Sequence, residues 1–190
     1  MRAFFAIELD EPTRDAIARF VQTESQRLRE ARWCTAAQLH VTLKFLGEVD
    51  DRAVPELVAI GRAAAAALAP FDLRVSGLGG FPTPRRPRVL WMGVEDATAS
   101  ARRWLADVEP GLAARGFPAE TRPFQPHLTL ARSRDPAGST ALGAWLARRE
   151  APPARTVAVT HFTLFQSVLK PSGAEYRVLA ETPLGIDSPA

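Results

Sequence analysis

Alternating and helical spacings of apolar residues interleave along the whole chain. Residues 2–8 form a short apolar strand, and Asp10, Glu11 and Pro12 make a helix start with a capping residue and a first-turn proline. Ile17, Phe20, Val21 and Leu28 keep a roughly helical spacing to about Arg29. Residues 40–45 alternate as a strand that closes at Gly47, and Asp50 or Asp51 caps an alanine-rich helix reaching about Leu68. Residues 71–78 and 88–94 are strands around a Gly/Pro/Arg loop. Asp96 or Thr98 opens a third helix that ends near Gly116. A strand over 127–131, a short helix over 140–149 and strands over 157–168 and 176–181 complete the chain. A turn through Lys170, Pro171, Ser172 and Gly173 joins the last two. Strands and helices mixed with hairpin-like steps predict an α+β fold with antiparallel sheets, not a doubly wound parallel sheet.

Composition narrows the class without choosing a function. The 190 residues are 46% hydrophobic and 24% charged, which excludes a disordered chain. No apolar run approaches the ~20 residues of a membrane span, and Glu8 cuts the N-terminal run too early for a signal peptide. Cys34 is the only cysteine, so no disulfide forms within the chain and no cysteine-based zinc site exists. These features predict a cytoplasmic protein with no membrane association. With 24 Lys and Arg against 21 Asp and Glu, the net charge is +3, and only Lys44 and Lys170 are lysines. Arginine suits phosphate recognition; codon bias accounts for the same abundance. There is no Gly-rich phosphate loop and no long linker, so residues 1–190 read as one domain.

One short pattern recurs. His40-Val41-Thr42-Leu43 and His127-Leu128-Thr129-Leu130 stand nearly half the chain apart. On a strand, i and i+2 share a face, so each motif presents His and Thr together while its apolar residues face the core. Two such strands side by side offer two imidazoles for acid–base work and two hydroxyls for phosphoryl oxygens, with no metal and no covalent nucleophile. The tetrapeptide alone is weak, since His161-Phe162-Thr163-Leu164 is a third copy. Context raises the first two: Lys44-Phe45-Leu46-Gly47 extends the first, and Pro126 with Ala131-Arg132 flanks the second.

With these motifs the chain resembles the 2H phosphoesterase superfamily. More narrowly it is similar to the RNA 2′,3′-cyclic phosphodiesterase family, also called 2′-5′ RNA ligase. The resemblance covers nearly the whole chain, including Arg2-Ala3-Phe4-Phe5-Ala6-Ile7, Gly80-Phe81-Pro82, Pro87-Arg88-Val89-Leu90-Trp91, Leu164-Phe165-Gln166-Ser167 and Gly173-Ala174-Glu175-Tyr176. It implies a bilobal fold, two similar α+β lobes each with an antiparallel sheet and flanking helices, facing each other across a central cleft. It implies hydrolysis of 2′,3′-cyclic phosphate RNA ends, such as those of tRNA fragments, to 2′-phosphomonoesters. A reversible 2′-5′ ligation can accompany this, by a monomer that needs no cofactor and no metal. In its terms His40 is the proton donor, His127 the proton acceptor, and Thr42 and Thr129 bind the phosphate. His161 corresponds to a position that is not catalytic.

Arg132, Lys44 and Phe124 are the further substrate-contact candidates. Strict alternation puts Lys44 on the face of His40 and Thr42. It puts Arg132 on the leucine face, so Arg132 reaches a phosphate only from beyond the strand end. Phe124 stands beside the second motif and is placed to line the cleft; Phe5, Phe81 and Trp91 are further aromatic candidates, and Arg85, Arg86 and Arg88 could track an RNA backbone. Tyr176 and Ser167 read as structural. Two other functions compete: a non-catalytic module that holds a nucleotide or RNA end, and a metal hydrolase built on His40, His127 and His161. Intact His and Thr in both motifs disfavour the first. The lack of a neighbouring carboxylate or metal-type spacing disfavours the second.

Overall fold

The computed structural model describes residues 1–121, 123–170 and 173–185. Nine strands and four helices follow in the order β1 (Arg2–Glu8), α1 (Glu11–Arg27), β2 (Ala31–Trp33), β3 (His40–Glu48), α2 (Val54–Ala65), β4 (Phe71–Phe81), β5 (Val89–Glu95), α3 (Ser100–Ala113), β6 (His127–Ser133), α4 (Thr140–Arg148), β7 (Arg155–Val159), β8 (His161–Lys170) and β9 (Gly173–Pro183). All the strands join one antiparallel sheet in the order β7-β4-β5-β6-β3-β1-β8-β9, with β2 pairing the end of β6. This is the α+β fold with antiparallel pairing that the pattern predicts.

The sheet has two halves with a narrow seam. On one side β3, β1, β8 and β9 pair along most of their lengths, and on the other β6, β5, β4 and β7 do so. Between β3 and β6 the ladder consists of one residue pair, Val41 with Leu128. Both residues immediately follow a motif histidine, so the seam runs through the two motifs.

Each half carries two helices on its buried face. Trp104 of α3 packs edge-on against Phe5 of β1 and tilted on Phe162 of β8, and its indole N–H donates to the Gly61 carbonyl of α2 at 3.1 Å. On the other half, Trp145 of α4 sits against Phe20 of α1 and Trp33 of β2. Its indole N–H donates to the buried Glu24 carboxylate at 2.7 Å, which also pairs with Arg27 and Arg149. A buried carboxylate is tolerable when it is satisfied from several sides in this way. Helix α1 leaves the β1 half and packs on the other. The linear order therefore interleaves the halves instead of completing them in turn.

Three readings of the pattern need correction. The run over 157–168 is two strands: β7 pairs β4, then the chain crosses the molecule at Thr160 and β8 pairs β1 and β9. Alternation continues through the crossing, so periodicity alone does not mark it. The strand β2 follows α1 where no strand is predicted, being only three residues long. The Asp50 carboxylate caps a single 3-10 turn over Asp51–Ala53, and the regular helix begins only at Val54. The turn at Pro171 and Ser172 lies outside the described residues.

Candidate active site

The antiparallel register at Val41 and Leu128 places His40 abreast of Thr129 and Thr42 abreast of His127. Val41 and Leu128 turn into the core, so the four polar side chains share the opposite face. The two histidines are thus diagonal neighbours, whose backbone positions in a regular sheet lie roughly 7–8 Å apart.

Both imidazoles are clamped in the same way. His40 Nδ1 lies 2.8 Å from the Gln38 carbonyl and His127 Nδ1 lies 2.8 Å from the Gln125 carbonyl. A carbonyl oxygen only accepts, so each Nδ1 carries the proton and each Nε2 is the reactive nitrogen. Each ring also has an aromatic edge partner at a centroid distance of 5.1 Å, Tyr176 for His40 and Phe81 for His127. Phe81 is backed by Trp91, whose indole lies flat over Gly79 of the neighbouring strand; a Cβ at Gly79 would collide with it.

The two environments are not equivalent. His40 is also covered by Phe4 at 4.9 Å, and its Nε2 lies 3.0 Å from the Thr42 hydroxyl. Burial pushes its pKa down from the usual 6.5 to about 4, against the pull of the Gln38 carbonyl; the charge of Arg132 adds to the lowering. His40 is therefore neutral near pH 7.

Beyond the motifs, β-bulges decide which residues face the site. In the β1–β3 ladder Phe5 pairs Lys44 and Ala6 pairs Thr42, leaving Leu43 as the extra residue. In the β5–β6 ladder Leu90 pairs Ala131 and Trp91 pairs Thr129, leaving Leu130 as the extra residue. Each bulge falls at the third position after its histidine and reverses the alternation for the residues that follow it, up to a second irregularity at Leu46 on β3. Two assignments from strict alternation are thereby overturned. Lys44 points away from the site: it is buried, and its ammonium donates to Glu109 at 2.8 Å and to the Pro118 carbonyl at 2.7 Å. Arg132 returns to the face of His127 and Thr129 while still within β6, and its charge is felt at His40, Cys34 and Tyr176. On β3 the corresponding position is the exposed Phe45.

A cleft of about 830 Å³ opens beside the pair, lined by Thr42, His127, Phe45, Phe81, Phe124 and Arg88 among others. Phe124 thus lines the cleft as predicted, and Phe81 and Phe45 join it. Phe5 is fully buried in the core. Arg86 is held by the Gly138 carbonyl and Asp135. Tyr176, read from the sequence as structural, flanks His40. Only the combined registers of β3, β1, β8 and β9 bring it there, and no local signal marks it.

His161 and Thr163 lie on β8, two strands away from His40 with β1 between. Both approach the Glu8 carboxylate, His161 at 3.6 Å and the Thr163 hydroxyl donating at 2.8 Å. Among the described residues, the one group with metal-ligand donors close together is Glu8, His161 and Glu181, within 4.8 Å of one another. Neither His40 nor His127 belongs to it, so the three histidines do not make a common ligand set.

Comparison with known proteins bears on the family and the fold. A family model described as the 2′-5′ RNA ligase superfamily matches residues 12–170. An RNA 2′,3′-cyclic phosphodiesterase of Methanothermobacter thermautotrophicus is 32% identical over 93% of this chain and 95% of its own. The crystal structure of TT0787 from Thermus thermophilus superposes with a TM-score of 0.79 at 35% identity, covering 97% of this chain and 98% of the other. E. coli LigT complexed with 3′-AMP gives a TM-score of 0.74 at 26% identity, with 96% and 97% covered. With two His-x-Thr strands meeting at one seam and a match over most of its length, the chain belongs to the 2′-5′ RNA ligase superfamily.

Proposed function

We propose that this protein hydrolyses 2′,3′-cyclic phosphate ends of RNA to 2′-phosphomonoesters, by acid–base catalysis between His40 and His127 with no metal ion in the reaction. The observation that carries the reading is the pairing of the motifs across the Val41–Leu128 seam, with both Nδ1 atoms clamped so that each Nε2 is the reactive nitrogen, that of His40 beside the Thr42 hydroxyl. Relatives named RNA 2′,3′-cyclic phosphodiesterase support the substrate class.

Water attacks phosphorus in line with the bond to O3′. One imidazole takes the water proton, the other protonates the departing O3′, and the phosphate stays on O2′. Charge accumulates on the non-bridging oxygens as phosphorus becomes five-coordinate. Thr42 and Thr129 donate to these oxygens, and Arg132 offsets their charge from the same face. The cleft lined by Phe45, Phe81 and Phe124 takes the terminal base by stacking. With a 5′-hydroxyl RNA end in place of water as the nucleophile, the same displacement of O3′ leaves a 2′-5′ linkage.

His127 acts as the base and His40 as the acid. His40 must then gain its proton when the anionic substrate arrives, since on its own it is neutral near pH 7. The phosphodiester charge beside Nε2 supplies that stabilisation and draws the Thr42 hydroxyl away to phosphate. Incubation with an oligonucleotide ending in a 2′,3′-cyclic phosphate, with and without chelator, tests the reading. Release of a 2′-phosphate end at an undiminished rate in chelator is expected. No cleavage, or activity lost in chelator and rescued by zinc or manganese, would overturn it.

A further inference from the structure

The site face extends onto β2. Arg32 of β2 is the direct cross-strand partner of Arg132 on β6, and both side chains are exposed. Like charges directly opposite on neighbouring strands are unfavourable unless something neutralises them. No acidic side chain among the described residues forms an ion pair with either arginine. Beyond Arg32 a second cleft of about 660 Å³ lies between α1 and β2. It is lined by Arg29, Arg32 and Arg134, and no aspartate or glutamate lines it. Arg32, Arg132 and the arginines of this cleft thus lie on the side of β6 opposite β5.

An RNA that ends in a 2′,3′-cyclic phosphate continues in only one direction, through the 5′ oxygen of its last ribose. With the cyclic phosphate between the histidines, the next phosphate upstream must leave the site within one nucleotide. Resting on the phosphodiesterase reading, we propose that Arg32 and Arg132 form a phosphate subsite for the nucleotide linkage just upstream of the cyclic end, and that the Arg29–Arg134 cleft carries the RNA beyond it. The arginine fork suits such a bridging phosphate, which would also relieve the repulsion between the pair. The protein is accordingly selective for RNA ends over free cyclic mononucleotides.

The test compares kcat/KM for a trinucleotide with a 2′,3′-cyclic phosphate end and for a mononucleoside 2′,3′-cyclic phosphate. The wild-type protein should favour the trinucleotide. Arg32→Ala should lower that preference by about tenfold or more, mainly through KM. The slope of log affinity against log salt should flatten by about 0.7 for one lost phosphate contact on a single strand. Arg32→Lys, which keeps the charge, should recover part of the preference. Equal rates on the two substrates in the wild type, an unchanged preference in Arg32→Ala, or a loss of the same size on both would overturn the subsite. Fluorescence anisotropy with a trinucleotide bearing a 2′-phosphate end tests it without turnover. If the wild type cleaves neither substrate, the catalytic reading fails, yet weaker anisotropy binding by Arg32→Ala still supports the subsite and equal binding overturns it.

Discussion

The strands β3 and β6 carry the same motif, the same backbone clamp on Nδ1 and the same bulge after the threonine, yet they differ at the next two positions. At the fourth position after the histidine, β3 has Lys44 and β6 has Ala131, both buried. At the fifth, β3 has Phe45 facing the cleft and β6 has Arg132. Shared backbone geometry therefore builds a twofold frame, and side chains break the symmetry. The half with β3 surrounds its histidine with Phe4, Tyr176 and Phe165, and burial there disfavours the charged ring. The half with β6 brings the Arg132 guanidinium to the same face as its histidine and threonine. A reaction that requires one acid and one base at the same moment benefits from two similar histidines in unlike surroundings.

The sharpest break in the comparison removes either imidazole. His40→Ala and His127→Ala should each lower turnover on the cyclic-phosphate substrate about 10²–10⁴-fold, and the double variant should be little worse than the poorer single. His161→Ala should keep near wild-type turnover in the same steady-state assay. A His161 as costly as the other two would sink the two-strand model.

The threonines come next. Valine keeps the β-branched shape and removes the donor, so Thr42→Val and Thr129→Val should fold normally and lose turnover, by up to roughly 3–4 kcal/mol of transition-state stabilisation each. Thermal melts beside the kinetics separate this from a structural defect; full activity in both variants would make them ordinary strand residues.

Lys44 probes the bulge. Its partner Glu109 keeps some access to water, so Lys44→Met should cost about 3 kcal/mol of stability, the lower end for a broken buried pair. Folded enzyme should retain its KM. Denaturant melts showing no loss, together with a raised KM, would mean that the lysine reaches substrate after all.

The smallest effect is the pH dependence that His40 gives the fold. His40 binds a proton near 6.5 when unfolded but only near 4 when folded. Between those values the unfolded chain holds more protons, so His40 makes stability fall as the pH drops from about 6.5 towards 4. His161, raised by its hydrogen bond with Glu8, works the other way, adding stability below 6.5 that is lost as the pH climbs through its folded pKa. Melts of His40→Gln should lose part of the acid sensitivity. An NMR titration of the His40 ring should show about 4 in the free protein and a rise when inorganic phosphate binds. No rise would reverse the roles, leaving His40 as the base.

Much of this was legible in the residues themselves. Alternation in His40-Val41-Thr42 and His127-Leu128-Thr129 is a local property of an extended backbone, so it determined which side chains share a face before any partner strand was known. The helix starts at Asp10 and Ser139 are likewise local, since each side chain caps the backbone of its own first turn. The rest depended on pairs of segments far apart in the chain. A bulge is a mismatch between two strands, and neither Leu43 nor Leu130 differs from an ordinary strand leucine until β1 and β5 are laid beside them. That mismatch alone turned Lys44 inward and Arg132 outward. Tyr176 at His40, Phe81 at His127 and Arg32 across from Arg132 were decided in the same way, because cross-strand register is set by the packing of the whole sheet and leaves no mark on either strand by itself.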